Sequence, residues 1–144
     1  MPEVPVTAHS GTAVTPFNTA LAELRIQVFR EWPYLYEGTL AYEQHYLGES
    51  VLLPEYRRQG IGHRFFEARE AQAMRYDYKY AAFCAVNRAD NGPDYSTLDS
   101  FWHKRGDIKH PKLQATFDWR EVGQSLESSH TLSFWIKKLE PSQP

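Results

Sequence analysis

Cysteine is almost absent from this chain of 144 residues. Cys84 stands alone, which excludes an intrachain disulfide and any zinc site built on cysteine. Its place in an apolar run suits a small core residue better than a nucleophile. Surplus charge is missing too: the net charge is −2, without the excess of Lys and Arg on which sequence-independent nucleic-acid binding rests. No apolar run approaches the roughly 20 residues that cross a bilayer. Met1 to Ala20 carry neither a basic start nor an apolar h-region. The expected location is therefore the cytoplasm, with no membrane and no nucleic acid among the partners. His103 and His110 have no metal-binding spacing with suitable neighbours, so no metal is expected. Repeats, low-complexity tracts and dividing linkers are lacking as well. One domain is expected over 1–144, loose at 1–15 and 141–144, because a chain of this length buries roughly two thirds of its unfolded surface in one core.

What is present is ring-rich: aromatic residues make up 15% of the chain, enough to furnish a core or pocket. The most informative stretch runs from Leu52 to His63 (LLPEYRRQGIGH). Val51 to Leu53 suit a buried strand, and Pro54 ends its ladder because it has no N–H to donate. Gly60 and Gly62 lack a Cβ, so the backbone can approach a ligand closely while unpaired N–H groups point outward at a helix start. The positive end of the helix dipole, with Arg57 and Arg58 beside it, suits an anion of the diphosphate kind. An ordinary strand-to-helix turn uses the same residue types, and the neighbouring elements tip the balance. Ile61, Phe65, Ala68 and Ala71 share one arc at helical spacing, predicting an amphipathic helix from Gly60 to Met74. Tyr78 to Val86 (YKYAAFCAV) then reads as a strand covered on both faces. Together these predict a βαβ unit with the anion turn at the carboxyl end of its first strand.

Elsewhere, Asn18 is a suitable N-cap for a helix to about Glu31 carrying the stripe Leu21, Leu24 and Val28, ended by Trp32-Pro33. A shorter helix is expected over Gly38 to Tyr46. Leu113, Ala115, Phe117 and Trp119 alternate with polar residues, as do Leu132, Phe134 and Ile136, predicting an antiparallel pair joined through Gly123 to His130. The expected class is α/β (α+β), a mixed sheet with a central βαβ unit and a C-terminal antiparallel pair.

Arg57, Gly60 and Gly62 match the signature of the GNAT superfamily of acyl-CoA-dependent N-acyltransferases: Gln or Arg, two residues, Gly, one residue, then Gly or Ala. The chain resembles that family further. Leu24-Arg25-Ile26 and Val28 to Tyr36 look like the first helix and following loop of one bacterial subgroup, and Phe101 to Gly106 looks like the fourth helix with its terminal glycine. The resemblance implies a GNAT-like N-acetyltransferase domain with acetyl-CoA as cosubstrate and a small-molecule amine as acceptor. It implies that the amides of Arg58, Gln59, Gly60, Ile61, Gly62 and His63 hold the pyrophosphate, that pantetheine pairs with the edge of Val51, Leu52 and Leu53, and that Asn87 bonds it from the opposite side. Asn87 is equally a turn residue before Asn91-Gly92.

The chain departs from the family between Tyr46 and Gly48, where two antiparallel strands are absent. The fold is abridged, and the exposed edge of the apolar strand has the N-terminal segment, another copy in a homodimer, or nothing as its partner. For catalysis, Glu49 is the candidate base, against a solvated carboxylate at a strand start. Relatives place a tyrosine acid in the fourth helix where this chain has Trp102; Tyr95 is the nearest substitute, against a packing role. The alternative reading is a catalytically silent domain that binds CoA or another protein.

Overall fold

The computed structural model describes residues 4–31, 33–39, 50–87 and 98–140. Among the described residues, three α-helices and a three-stranded sheet make a mixed α+β fold. Helix α1 spans Asn18–Phe29, α2 Ile61–Arg75 and α3 Asp99–Lys104; the strands are β1, Tyr80–Val86, β2, Ile108–Trp119, and β3, Ser128–Lys138. The sheet order is β1-β3-β2, and both pairings are antiparallel. The helix expected over Gly38 to Tyr46 and the departure from the family at Tyr46 to Gly48 fall mainly or wholly outside the described residues.

Asn18 does not cap α1. A 3-10 turn over Gly11–Phe17 delivers the chain already helical, and the Asn18 N–H donates back to Thr15. A cap requires a backbone that enters the helix from outside helical space, and here it does not. Ala22 on α1 is fully buried, with Leu21, Leu24 and Val28 half-buried around it. The loop that follows is tied to the far end of β2. Tyr36 forms a β-bridge with Glu121, the Trp119 indole donates to the Tyr34 carbonyl at 3.0 Å, and the Glu37 N–H donates to Arg120 at 2.9 Å.

Helix α2 begins where glycine permits a reversal: Gly60 is left-handed at φ 77°, and its carbonyl accepts the first helical bond from Arg64. It ends in paired return bonds, Tyr78 N–H to Ala73 and Asp77 N–H to Met74, with Asp77 left-handed at φ 60°. The inward face differs from the expected arc. Ile61 is buried and Phe65 half-buried, whereas Ala68 and Ala71 are exposed and Glu70 and Ala73 turn inward. Charge pairing draws Glu70 to the core margin, and that rotates the buried stripe.

The core lies between α2, α3 and one face of the sheet. Phe83 of β1 and Trp135 of β3 are register partners. Phe66 of α2 packs edge-on to Phe83 at 5.3 Å, and Trp102 of α3 lies 5.0 Å from both Phe83 and Trp135. The opposite face carries Leu132, Phe134 and Ile136 beside Ala82, Cys84 and Val86, with Cys84 half-buried as expected of a small packing residue.

The strand expected at Val51 to Leu53 is not formed, so the described residues contain no βαβ unit and no parallel pairing. Three apolar residues before a proline are too few to secure a ladder, and the Leu52 carbonyl accepts from the Arg57 Nε at 3.1 Å instead. Nor is β1 covered on both faces: Tyr80 is 60% exposed and Tyr78 precedes the strand. The C-terminal antiparallel pair forms as expected, but it is longer. Four residues, His110 to Leu113, bulge out opposite Phe134 alone.

Candidate functional site

The turn from Arg57 to His63 gathers most of the residues singled out in the sequence. A 3-10 turn at Pro54–Tyr56 lifts the chain out, Arg58 takes a left-handed conformation at φ 61°, and Gly60 follows at φ 77°. A non-glycine residue in this region is uncommon. The consequence is a row of backbone donors. Among the described residues no backbone carbonyl accepts from the N–H of Arg58, Gln59, Gly60, Ile61, Gly62 or His63. The last three open α2, so the helix dipole adds to them. A Cβ at Gly60 would meet nothing within 4 Å, and one at Gly62 would meet only the Phe101 Cζ at 3.9 Å. The surface over the turn is open.

Side chains contribute less than expected. Arg57 folds back: its Nε holds the Leu52 carbonyl, and its guanidinium lies 3.7 Å from Glu31. Gln59 donates to the Glu55 carbonyl at 2.8 Å and stays within the turn. His63 is held on both sides, with Nε2 3.0 Å from Glu67 and Nδ1 against the Arg105 guanidinium. Because a guanidinium only donates, Nδ1 accepts, and the imidazole proton sits on Nε2 facing Glu67. Arg58 has no ion-pair partner among the described residues.

Val51, Leu52 and Leu53 lead into the turn half-buried and unpaired as a strand. Asn87 extends the β1 ladder by one residue. Its N–H donates to Thr131 and its Nδ2 to the Ser133 hydroxyl, both at 2.8 Å, so the side-chain donor is committed to the sheet. Glu49, Tyr95, Trp32 and the Asn91-Gly92 turn lie outside the described residues. Trp102 is packed between Phe83 and Trp135. Among the described residues no group of three His, Cys, Asp or Glu side chains could hold a metal ion. No described helix is long and apolar enough to cross a membrane.

A charge cluster behind the turn was not legible in the sequence. Arg105 pairs with Glu70 at 2.6 Å, Glu70 also takes Lys137 at 3.0 Å, and Arg105 lies over the Phe66 ring at 4.8 Å. Its contact with His63 links this cluster to the first turn of α2. Asp107 is only 3% exposed, and its Oδ2 has no hydrogen-bond partner. Burial pushes its carboxyl above the ordinary carboxylate range; Lys137 and then Arg105 pull it down, and Glu70 pushes it up. A carboxyl whose folded value is raised costs stability as pH climbs from its unfolded value through the folded one. Asp107→Asn should therefore lose less stability than the parent in urea unfolding as pH rises from about 4. Parallel curves would mean that Asp107 titrates normally.

Comparison with known family models, curated proteins and solved structures gives no match to this chain.

Proposed function

We propose that the chain is a GNAT-like N-acetyltransferase that binds acetyl-CoA at the Arg58 to His63 turn and passes the acetyl group to a primary amine. One observation carries the reading: six successive amides without a carbonyl partner, two left-handed residues and an uncommitted arginine lie in one turn at a helix start. That arrangement complements a diphosphate. The diphosphate end of the cosubstrate fits, whereas the pantetheine arm finds no preformed strand at Val51 to Leu53. In the proposed reaction the amine nitrogen attacks the thioester carbon, the C–S bond breaks, and the thiolate takes a proton. The resemblance places a base in the strand that Glu49 precedes, so Glu49 takes the amine proton, and it places the acid at Trp102, for which Tyr95 is the nearest substitute.

A silent CoA-binding domain is the second reading, favoured by Trp102, whose ring serves the core and whose N–H is no acid. Calorimetric titration with acetyl-CoA, set beside free-thiol release over a panel of amines, separates the two. Binding with turnover supports the transferase, binding alone selects the silent domain, and no binding removes both. Arg58→Glu should weaken affinity by about tenfold or more.

Gly62→Ala discriminates further. The protein has room for the methyl, and alanine in a helix gains up to about 1 kcal/mol over glycine. Thermal stability should hold or rise while acetyl-CoA affinity falls by about tenfold. Unchanged affinity would mean that no ligand approaches this backbone.

A further inference from the structure

The outer edge of β2 carries a second, unassigned surface. Its apolar row is left outside the core: Leu113 is 49% and Phe117 51% exposed, with Ala115 half-buried between them. The described residues close this edge at one end only, where Tyr36 bridges Glu121. From Leu113 to Asp118 no described strand pairs with it, since β2 stands last in the sheet order. An apolar edge of this kind recruits another strand unless something guards it.

The sequence of the edge is complementary to itself. Set antiparallel to a second copy about a two-fold axis at Ala115, Gln114 meets Thr116, Leu113 meets Phe117, and the exposed Lys112 meets the exposed Asp118. Shifting the register by one or two residues in either direction loses the Lys112 to Asp118 match, and one such shift sets Lys112 against Arg120. Opposed residues of an antiparallel pair share a face. The two apolar rows therefore merge on one side while the charges pair on the other. The bulge limits the ladder. The Lys112 and Leu113 amides already donate to His110 Nδ1, so pairing centres on Gln114, Ala115 and Thr116.

We propose that β2 is a homodimer edge, joining two copies into a six-stranded sheet through Leu113 to Phe117, with Lys112 and Asp118 fixing the register. An isologous pairing of this kind closes on itself and does not propagate into fibres.

Sedimentation equilibrium of the full chain tests it, with circular dichroism confirming that each variant is folded. The parent should be dimeric. Lys112→Asp and Asp118→Lys should each weaken association by about tenfold, because each sets like charges opposite one another at both ends of the ladder. The double exchange restores opposite charges and should restore the dimer. A monomeric parent, a dimer indifferent to the single reversals, or a double variant that fails to recover would each overturn the proposal. A second measurement guards against incidental misfolding: Phe117→Lys, on the exposed row, should give a folded monomer, and a folded dimer would equally overturn it.

Discussion

Trp135→Ala is expected to lose about 3–5 kcal/mol of unfolding free energy in urea titrations. Trp135 is 1% exposed and the only large side chain so deeply buried among the described residues. Its ring joins the sheet to α3: Phe83 stacked at 6.3 Å, Trp102 at 5.0 Å and His103 edge-on at 4.9 Å. Removing it strips both the strand pair and α3 of their common contact, and rings held on three sides cannot collapse fully into the space. Trp135→Phe keeps an aromatic body and should cost less than half as much. Ile108→Ala makes the internal contrast. Ile108 is apolar and on a strand too, but 69% exposed, so its loss should stay within about 0.5 kcal/mol. Comparable losses at the two positions would mean that the core is not centred on Trp135.

Trp135 also marks where sequence reading stops. Leu132, Phe134 and Ile136 identify β3 as a strand because alternation is a local signal, but they name one face only. The other face sets Trp135 among Thr131, Ser133 and Lys137, and which face receives the helices depends on elements far along the chain. The same holds for α2. Its existence and its Gly60 start follow from local pattern and backbone geometry, whereas its buried stripe is set by Glu70, whose partners Arg105 and Lys137 lie 35 and 67 residues away. The open turn before α2 was legible because its unpaired donors are main-chain groups beside two nearby glycines. The fates of Arg57, Gln59 and His63 were not, since each is claimed by a neighbour that only folding supplies. Val51 to Leu53 show the converse: an apolar triplet is composed like a strand, yet pairing is a property of two segments, and none of the described residues supplies the second.

Glu70→Gln should cost about 3 kcal/mol, nearly as much as the loss of the core tryptophan, although it changes one atom and almost no volume. The carboxylate is 13% exposed and stands between the Arg105 guanidinium, 3% exposed, and the Lys137 ammonium, 24% exposed. Taking the anion away leaves a buried cation whose Nε already lacks a partner and whose remaining acidic neighbour, Asp107, is itself buried, and the loss of the direct partner is what makes a broken pair expensive. Water can reach Lys137 more easily, so the coupling should be unequal. A double-mutant cycle with Arg105→Met should return the larger interaction energy, and one with Lys137→Met the smaller. Salt is a further check, because a buried pair is poorly screened: the deficit of Glu70→Gln should persist at high ionic strength, whereas that of Glu67→Gln, whose partner His63 is half-exposed, should start small and vanish. The consequence reaches the candidate site. Arg105 holds the Nδ1 of His63 at the first turn of α2, so a variant that frees Arg105 loosens the turn whose amides the diphosphate would meet. Acetyl-CoA affinity should then fall in Glu70→Gln while remaining intact in Glu67→Gln, and equal affinities would show that the cluster steadies the fold without steadying the turn.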